Sequence, residues 1–245
     1  MRMKIALQSK GKIILSFGYF ASVQGLIYSM LDRLSSNWLH EQGFKYEKRS
    51  FKLFVFSEII EKGVVDKQTK EFVFPETVSF YFATPVEWII EQFAKNLILK
   101  EEFYLGKNRI KLHSVEILKP VEVLKNKIKV KALSPIEAHS TLLKGDGSKK
   151  TYYYSPAEKE FSELVNLNLK KKWEAFYNEK CSHNVNVYPV NIKKCREIYV
   201  TEKETIIKGW KCHFFIEGDI PLIKFAFDTG LGSRNSLGFG MIDIV

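Results

Sequence analysis

Gly230-Leu231-Gly232-Ser233-Arg234-Asn235-Ser236-Leu237-Gly238-Phe239-Gly240-Met241-Ile242-Asp243-Ile244-Val245 is the stretch on which the reading of this chain turns. Two Gly-apolar-Gly clips bracket five residues, Ser233 to Leu237, and the alternating apolar run behind them predicts a strand. Glycines this close together free the backbone for positive φ and let another segment approach with no Cβ in between. Such a turn can aim several N–H groups into one concavity and hold a phosphate there. Arg234 adds a planar guanidinium suited to bidentate phosphate contact. Gly230, Gly232, Ser233, Arg234, Asn235, Ser236, Gly238 and Gly240 are therefore candidate contacts to a polyanion. The competing reading is a tight connection whose glycines serve only close packing. The spacing lacks the Gly-Lys-Ser/Thr of a P-loop, and no strand with an acidic residue follows to complete a dinucleotide fingerprint.

Working outward, 245 residues suffice for one large domain or two small ones, each able to bury a core unaided. A hydrophobic content of 45% and a charged content of 27% describe an ordinary globule. The net charge of +10 and the pI near 9.3 are less ordinary. A surplus of that size attracts polyanions, nucleic acid first among them, although biased genomes and high growth temperatures also enrich lysine. Cys181, Cys195 and Cys212 are widely spaced with no Cys-x-x-Cys pair, which predicts reduced thiols in a cytoplasmic protein and no zinc site. Lys10 and Lys12 interrupt the apolar residues a signal peptide would keep together, and nothing approaches the apolar run of a membrane span.

Along the chain, Met3 to Gln8 predicts a first strand. Val23, Leu26, Ile27, Met30, Leu31, Leu34 and Trp38 recur at helical steps, with Ser35-Ser36-Asn37 the expected interruption and Gly43 the end. Lys45 to Arg49 reads as a basic loop, Phe51 to Phe56 as a strand covered on both faces, and Val78 to Ala83 as a third strand. Thr84-Pro85-Val86-Glu87 carries an N-cap, a proline suited to the first helical position and a capping-box glutamate, ahead of a stripe at Val86, Ile89, Ile90, Phe93 and Leu97. A strand near Ile110 to Ile117 completes the order strand, helix, strand, strand, helix, strand, which is ferredoxin-like.

Pro120 marks a boundary. Beyond it come a strand at Lys127 to Leu133, a hairpin from Leu142 to Tyr154 about Gly145-Asp146-Gly147, and Ser155-Pro156-Ala157-Glu158, which repeats the earlier helix start. A helix through Phe161, Leu164, Val165, Leu169, Trp173 and Phe176 follows. Strands near Arg196 to Thr201 and Ile206 to Ile216, a short apolar stretch at Ile220 to Phe227, and the glycine loop come last. The expected fold class is α+β, tandem ferredoxin-like (RRM-like) domains at residues 1–120 and 121–245 with a glycine-rich loop in the second.

Of five histidines, His113 and His213 fall inside expected strands, and His139 and His183 sit in polar segments without evident partners. No pair has ligand spacing, so neither a metal nor another cofactor is expected. His40 stands apart, following a helix break and preceding the basic loop; a helix-end histidine favoured by the macrodipole is its plainer reading.

The terminal loop resembles the glycine-rich loop of the RAMP superfamily. Together with Tyr28 through Ser57, Ser134-Pro135-Ile136 and Glu158-Lys159-Glu160-Phe161, the chain is similar along most of its length to the CRISPR-associated endoribonuclease that cuts repeat RNA into guide units. The resemblance implies a catalytic tyrosine in the first helix, a histidine at its end and a lysine opening the next strand, which match Tyr28, His40 and Lys52. It also implies a CRISPR repeat RNA substrate and no metal requirement. Effector-complex subunits and a second copy of the chain are further candidate partners. A non-catalytic RNA-binding RAMP subunit, or an unrelated ferredoxin-like protein of incidental basicity, are the alternative functions.

The chemistry asks for these residue types independently. RNA can be cut by its own 2′-hydroxyl, so the protein needs to move protons and stabilise charge on a five-coordinate phosphorus. An imidazole, a lysine and a positioned phenol supply those actions. Twelve residues separate Tyr28 from His40, and an unbroken helix would set them roughly 120° apart, so convergence requires a break. Without the resemblance, Tyr28 reads as core and Lys52 as a surface lysine. Lys144, Lys149 and Lys150 flank the hairpin beside Tyr152 and Tyr153 and predict a second RNA-binding surface, while the Lys170-Lys171-Lys172 run reads more readily as a solvated helix face.

Overall fold

The strand expected at Met3 to Gln8 runs over Arg2–Gln8 and occupies the middle of a five-stranded sheet. The structure is a computed structural model that describes residues 1–143, 145–202 and 205–245; Lys144, one of the candidate RNA contacts, lies outside the described residues. The sheet runs in the order Val55–Phe56, Thr77–Ala83, Arg2–Gln8, Asn108–Leu118 and Phe103–Leu105. All its pairings are antiparallel. Numbered along the chain, its first four strands lie 2-3-1-4, the ferredoxin-like order. A second sheet repeats that order with Val185–Pro189, His213–Gly218, Lys127–Ala132 and Ile242–Ile244. Two units of one topology therefore stand in tandem.

Each unit buries one sheet face under helices. Helix α1 (Phe20–Ser29), the short α2 (Arg33–Glu41) and α3 (Glu87–Leu99) belong to the first. Helices α4 (Lys159–Tyr177) and α5 (Ile220–Thr229) belong to the second. Val23 and Ile27 from α1 and Ile89 and Phe93 from α3 meet Ile5, Phe80 and Phe82 from the sheet, all fully buried. Side chains of this size contribute about 1.5–3 kcal/mol each when fully buried. In the second core Phe161, Val165 and Leu169 of α4 and Ile223 and Ala226 of α5 meet Val130, Phe214 and Ile216.

The two cores are stitched together. Phe239, from the glycine-rich stretch, sits in the first core, and Met241 packs with Val55 and Ala83. Arg2, 4% exposed, donates from Nη2 to the Ile242 carbonyl at 3.0 Å and lies 3.2 Å from the Asp243 carboxylate. Its guanidinium stands 5.6 Å from the centre of the Phe227 ring. The hairpin Arg196–Glu202 with Thr205–Lys211 leans Val200 and Ile207 into the first core.

Several expectations need correction. The first helix breaks at Met30-Leu31-Asp32 and not at Ser35-Ser36-Asn37, which lie inside α2. Asp32 is extended and accepts from the Ser35 N–H at 2.9 Å, so that serine completes a cap. After the break, Leu34 is 81% exposed and Trp38 36%, outside the expected stripe. Phe51 to Phe56 is not one strand. Arg49–Phe51 pairs with Phe44–Tyr46 in a hairpin where a basic loop was expected, and Leu53 at φ 51° turns the chain before Val55–Phe56. Helix α3 starts at Glu87, because Thr84 Oγ1 accepts from the Val86 N–H at 3.1 Å and turns the segment ahead of the helix. Helix α4 starts at Lys159, while Glu158 reaches back to the Ser155 N–H at 2.6 Å, half of a capping box. Ile220 to Phe227 is helical, and Val185–Pro189 is a strand the sequence reading passed over.

The expectation of three reduced thiols also falls. Cys195 and Cys212 form a disulfide, with Cα atoms 4.7 Å apart. They flank the hairpin register that begins at Arg196 opposite Lys211, so strand pairing brings them together. Cys181 is free and buried. Among the described residues no helix is long and apolar enough to cross a membrane, and no cluster of three His, Cys, Asp or Glu could hold a metal ion.

Candidate active site

Helix α1 ends because the Met30 and Leu31 N–H groups bond back to the Ile27 and Tyr28 carbonyls at 3.2 Å, tightening the last turn. Asp32 then caps α2 in a new direction. Tyr28, in the last turn of α1, and His40, in the last turn of α2, thereby meet edge to face, ring centroids 5.9 Å apart at 74°. Tyr28 also packs on Phe54 at 5.9 Å. The hairpin that follows α2 returns the chain so that Lys52 Nζ donates to the His40 carbonyl at 2.7 Å and to Ser50 Oγ at 3.3 Å. Its ammonium thus sits at the C-terminal end of α2, where unpaired carbonyls favour a cation. Tyr28, His40 and Lys52 are brought together.

Electrostatics separates their properties. Burial pushes the Tyr28 phenol up to about 12, which keeps it a neutral hydrogen-bond donor at ordinary pH. Burial also pulls the Lys52 ammonium below the ordinary lysine range. His40 is exposed. The three border or approach a cleft of about 790 Å³ whose walls also include Ser16, Gln24, Lys70, Thr201, Ser236 and Leu237.

Ser236 and Leu237 bring the glycine loop into the same cleft, and most of the loop's glycines are engaged in close packing. Gly230, Gly232, Gly238 and Gly240 are buried with φ of 77°, 68°, 89° and 84°. A Cβ at Gly232 would collide with the Glu137 carbonyl, and one at Gly240 with the Leu231 carbonyl. The N–H groups of Leu231, Ser233 and Gly240 donate to the Gly240, Glu137 and Pro135 carbonyls at 2.8–2.9 Å. Those of Gly230, Leu237 and Gly238 also bond within the protein. The glycines pack the loop, and the half-buried Ser233 to Leu237 face outward between them.

Three side chains hold this loop in place: Gln24, which the sequence did not single out, Asn235, expected only as an RNA contact, and Lys172, expected on a solvated helix face but buried. Gln24 on α1 donates from Nε2 to the Ser236 carbonyl at 2.8 Å. Asn235 Nδ2 spans the base of the loop to the Leu231 and Phe239 carbonyls at 3.0 and 2.9 Å. Lys172, 2% exposed, donates to the Gly230 and Thr229 carbonyls at 2.5 and 3.2 Å and to Asn235 Oδ1 at 3.0 Å. Burial holds its ammonium well below the usual lysine range, and those three oxygens replace its lost water. One signal for Lys172 was available: it continues the apolar stripe of Phe161, Val165 and Leu169 into the basic run.

A second cleft, of about 350 Å³, adjoins the first and shares Lys52 and Ser236 with it. Ser233, Arg234 and Asn235 line it beside Arg49, Phe51, His139 and Asn168. His139 has a partner after all, its Nδ1 lying 2.5 Å from the fully buried Glu137 carboxylate. Lys149 and Lys150 are exposed on the hairpin His139–Leu143 with Lys149–Tyr153, away from both clefts, while the root of that hairpin delivers His139. Tyr152 donates to Glu158 at 2.8 Å, and Tyr153 lies 5.9 Å from the His139 ring.

The chain matches known proteins along its whole length. Residues 12–116 match the family model for CRISPR-associated protein Cas6, N-terminal, and residues 117–244 that for CRISPR associated protein Cas6, C-terminal. The chain is 30% identical to CRISPR-associated endoribonuclease Cas6 1 of Methanocaldococcus jannaschii, over 99% of this chain and 92% of the relative. It is 31% identical to CRISPR-associated endoribonuclease Cas6 of Pyrococcus furiosus, over 91% and 80%. A solved structure of a CRISPR associated protein Cas6 superposes with a TM-score of 0.80 at 29% identity, covering 100% of this chain and 99% of that one. Another, of a RAMP protein binding different RNA substrates, gives a TM-score of 0.81 at 20% identity, covering 100% of this chain and 99% of that one, and speaks to the fold alone.

Proposed function

This chain belongs to the Cas6 family of CRISPR-associated proteins, and we propose that it is an endoribonuclease that cuts precursor CRISPR RNA within its repeats, by 2′-hydroxyl attack and without a metal. The observation that carries the proposal is that one cleft is lined both by Tyr28, His40 and Lys52 and by Ser236 and Leu237 of the glycine-rich loop. We read residues 1–120 as the unit that supplies the first three and 121–245 as the unit that supplies the loop. Repeat RNA is the partner this reading needs; effector subunits and a second copy of the chain are compatible with it.

In the proposed reaction the 2′-oxygen bonds to phosphorus as the bond from phosphorus to the 5′-oxygen breaks. The 2′-proton leaves and a proton reaches the 5′-oxygen, giving 2′,3′-cyclic phosphate and 5′-hydroxyl ends. Imidazoles exchange protons near neutral pH, which suits His40 to that transfer. The Lys52 ammonium offsets charge on the phosphoryl oxygens, and the neutral Tyr28 phenol donates a hydrogen bond that orients the group under attack. Arg234, Ser233, Asn235 and Ser236 contact the RNA backbone along the loop, with Lys149 and Lys150 continuing the basic surface.

Incubation with repeat RNA in EDTA tests the proposal. Wild type is expected to cut once per repeat, and a single 2′-deoxy substitution at the cut site or His40→Ala is expected to abolish cutting. Full cleavage by His40→Ala would overturn it. Tight repeat binding with no scission by wild type would instead assign the non-catalytic RNA-holding role.

A further inference from the structure

We propose that the second cleft is a pocket for one unstacked ribonucleotide of the strand that passes His40, its base edge read by the side-chain amide of Asn168. The inference rests on the RNA reading above and specifies what part of the strand is recognised. Asn168 is only 9% exposed, lines the cleft, and its Oδ1 is buried with no hydrogen-bond partner. Buried amide oxygens are almost always paired, and this unpaired one belongs to a side chain at the cleft wall, where a turn of the terminal amide presents it to a donor that arrives from outside. Unstacked RNA bases are read by hydrogen bonds to their edges and by stacking on aromatic rings, and Phe51, on the hairpin that also lines the cleft, offers such a ring.

The charged side chains fit the remainder of a nucleotide. Glu137 is fully buried and stands behind the wall, its Oε1 2.5 Å from His139 Nδ1 and its Oε2 3.9 Å from Arg234 Nε. One buried anion thus positions a histidine and an arginine that both border the cleft. Arg49, exposed on the facing hairpin, adds a second guanidinium. Together they suit a phosphate, which guanidinium groups bind in bidentate fashion. At about 350 Å³ the cleft lies at the small end of ligand pockets and admits one nucleotide, not a duplex. Because Lys52 and Ser236 border both clefts, a strand seated at His40 continues directly into it.

The test is a binding scan. Repeat RNA blocked by a 2′-deoxy residue at the cut site carries an abasic substitution at each neighbouring position in turn, and affinities are measured for wild type and Asn168→Leu. Wild type is expected to lose about tenfold at one position, the worth of one well-placed base contact. Asn168→Leu is expected to lose the same factor on intact RNA and nothing further at that position. Unchanged affinity of Asn168→Leu, or equal penalties at every position, would overturn the pocket. Should that variant melt early, 2-aminopurine at the same position in RNA bound to wild type gives a second readout: increased fluorescence reports unstacking, and no increase overturns the proposal. Cleavage of all-ribose RNA, measured alongside, separates the two readings: a position-specific Asn168 effect without cutting retains the pocket and removes the nuclease, and cutting without that effect does the reverse.

Discussion

Gln24 donates from its side-chain amide to the Ser236 carbonyl at 2.8 Å, across 212 residues of sequence. Gln24 lies one helical turn before Tyr28, so this bond fixes the spacing between the helix bearing the phenol and the facing loop. Gln24→Ala removes one half-buried hydrogen bond, about 1 kcal/mol. The expected result is about a fivefold fall in kcat/KM, carried mainly by KM, with the melting temperature barely moved. Unchanged kinetics would mean that the loop keeps its place without this tether.

Tyr28→Phe keeps the ring against His40 and Phe54 and deletes only the donor. Single-turnover cleavage is expected to slow by about a hundredfold, the typical loss of one oriented transition-state donor. Thermal melting should be unaffected. A wild-type rate would return Tyr28 to a purely packing role.

The pH dependence follows from Lys52. Burial lowers its affinity for protons, so its positive charge disappears at a lower pH than that of an ordinary lysine. If that charge stabilises the transition state, cleavage declines on the alkaline side earlier than a solvent-exposed lysine would dictate. Arginine stays charged throughout, so Lys52→Arg should flatten that decline even if its overall rate is lower. A pH–rate profile from neutrality upward, corrected for spontaneous RNA hydrolysis, makes the comparison; identical alkaline limbs would exclude Lys52 as the group responsible.

Gly232→Ala and Gly240→Ala each push a Cβ into a carbonyl oxygen at a positive φ. Each is expected to destabilise the fold by about 2–4 kcal/mol in chemical denaturation. Ser236→Ala, on the outward segment, should cost less than about 0.5 kcal/mol while weakening RNA binding. The opposite ranking would contradict a packing role for the glycines.

Lys172→Met removes an ammonium that joins Thr229, Gly230 and Asn235. A loss of about 3 kcal/mol is expected from the three oxygens left without their donor. Lys171→Met, one position away and only half-buried, is the control and should melt within a degree or two of wild type. Equal melting of both variants would show that the loop does not depend on the clamp.

The order of strands and helices in the first unit and the helix-start signature shared by Thr84-Pro85-Val86-Glu87 and Ser155-Pro156-Ala157-Glu158 made the two-unit architecture readable from the sequence. Local chemistry was harder to read. Asp32 outcompeted Ser35 and Ser36 as the point of interruption because its extended backbone and carboxylate could serve the Ser35 N–H, whereas the serines had helical neighbours on both sides. Helix α5 was passed over because Ile220 to Phe227 is apolar on nearly every side, which erases the periodic signal, although Pro221 near its start was a cue. Tyr28, His40 and Lys52 were named from resemblance, and their convergence depends on the turn at Asp32. Glu137, Asn168 and Gln24 carry no local mark. Their partners are distant in sequence, and only the tertiary fold reveals them.

The stitching of Phe239 into the first core and of Ile242 onto Arg2 bears on when the protein becomes competent during its synthesis. Domains generally form as units while the ribosome is still at work, and contacts between remote parts of a chain come late. A nascent polypeptide can already display its imidazole on a formed helix while the residues that will face it are still untranslated. The cleft is therefore completed only when the last strand has joined its sheet.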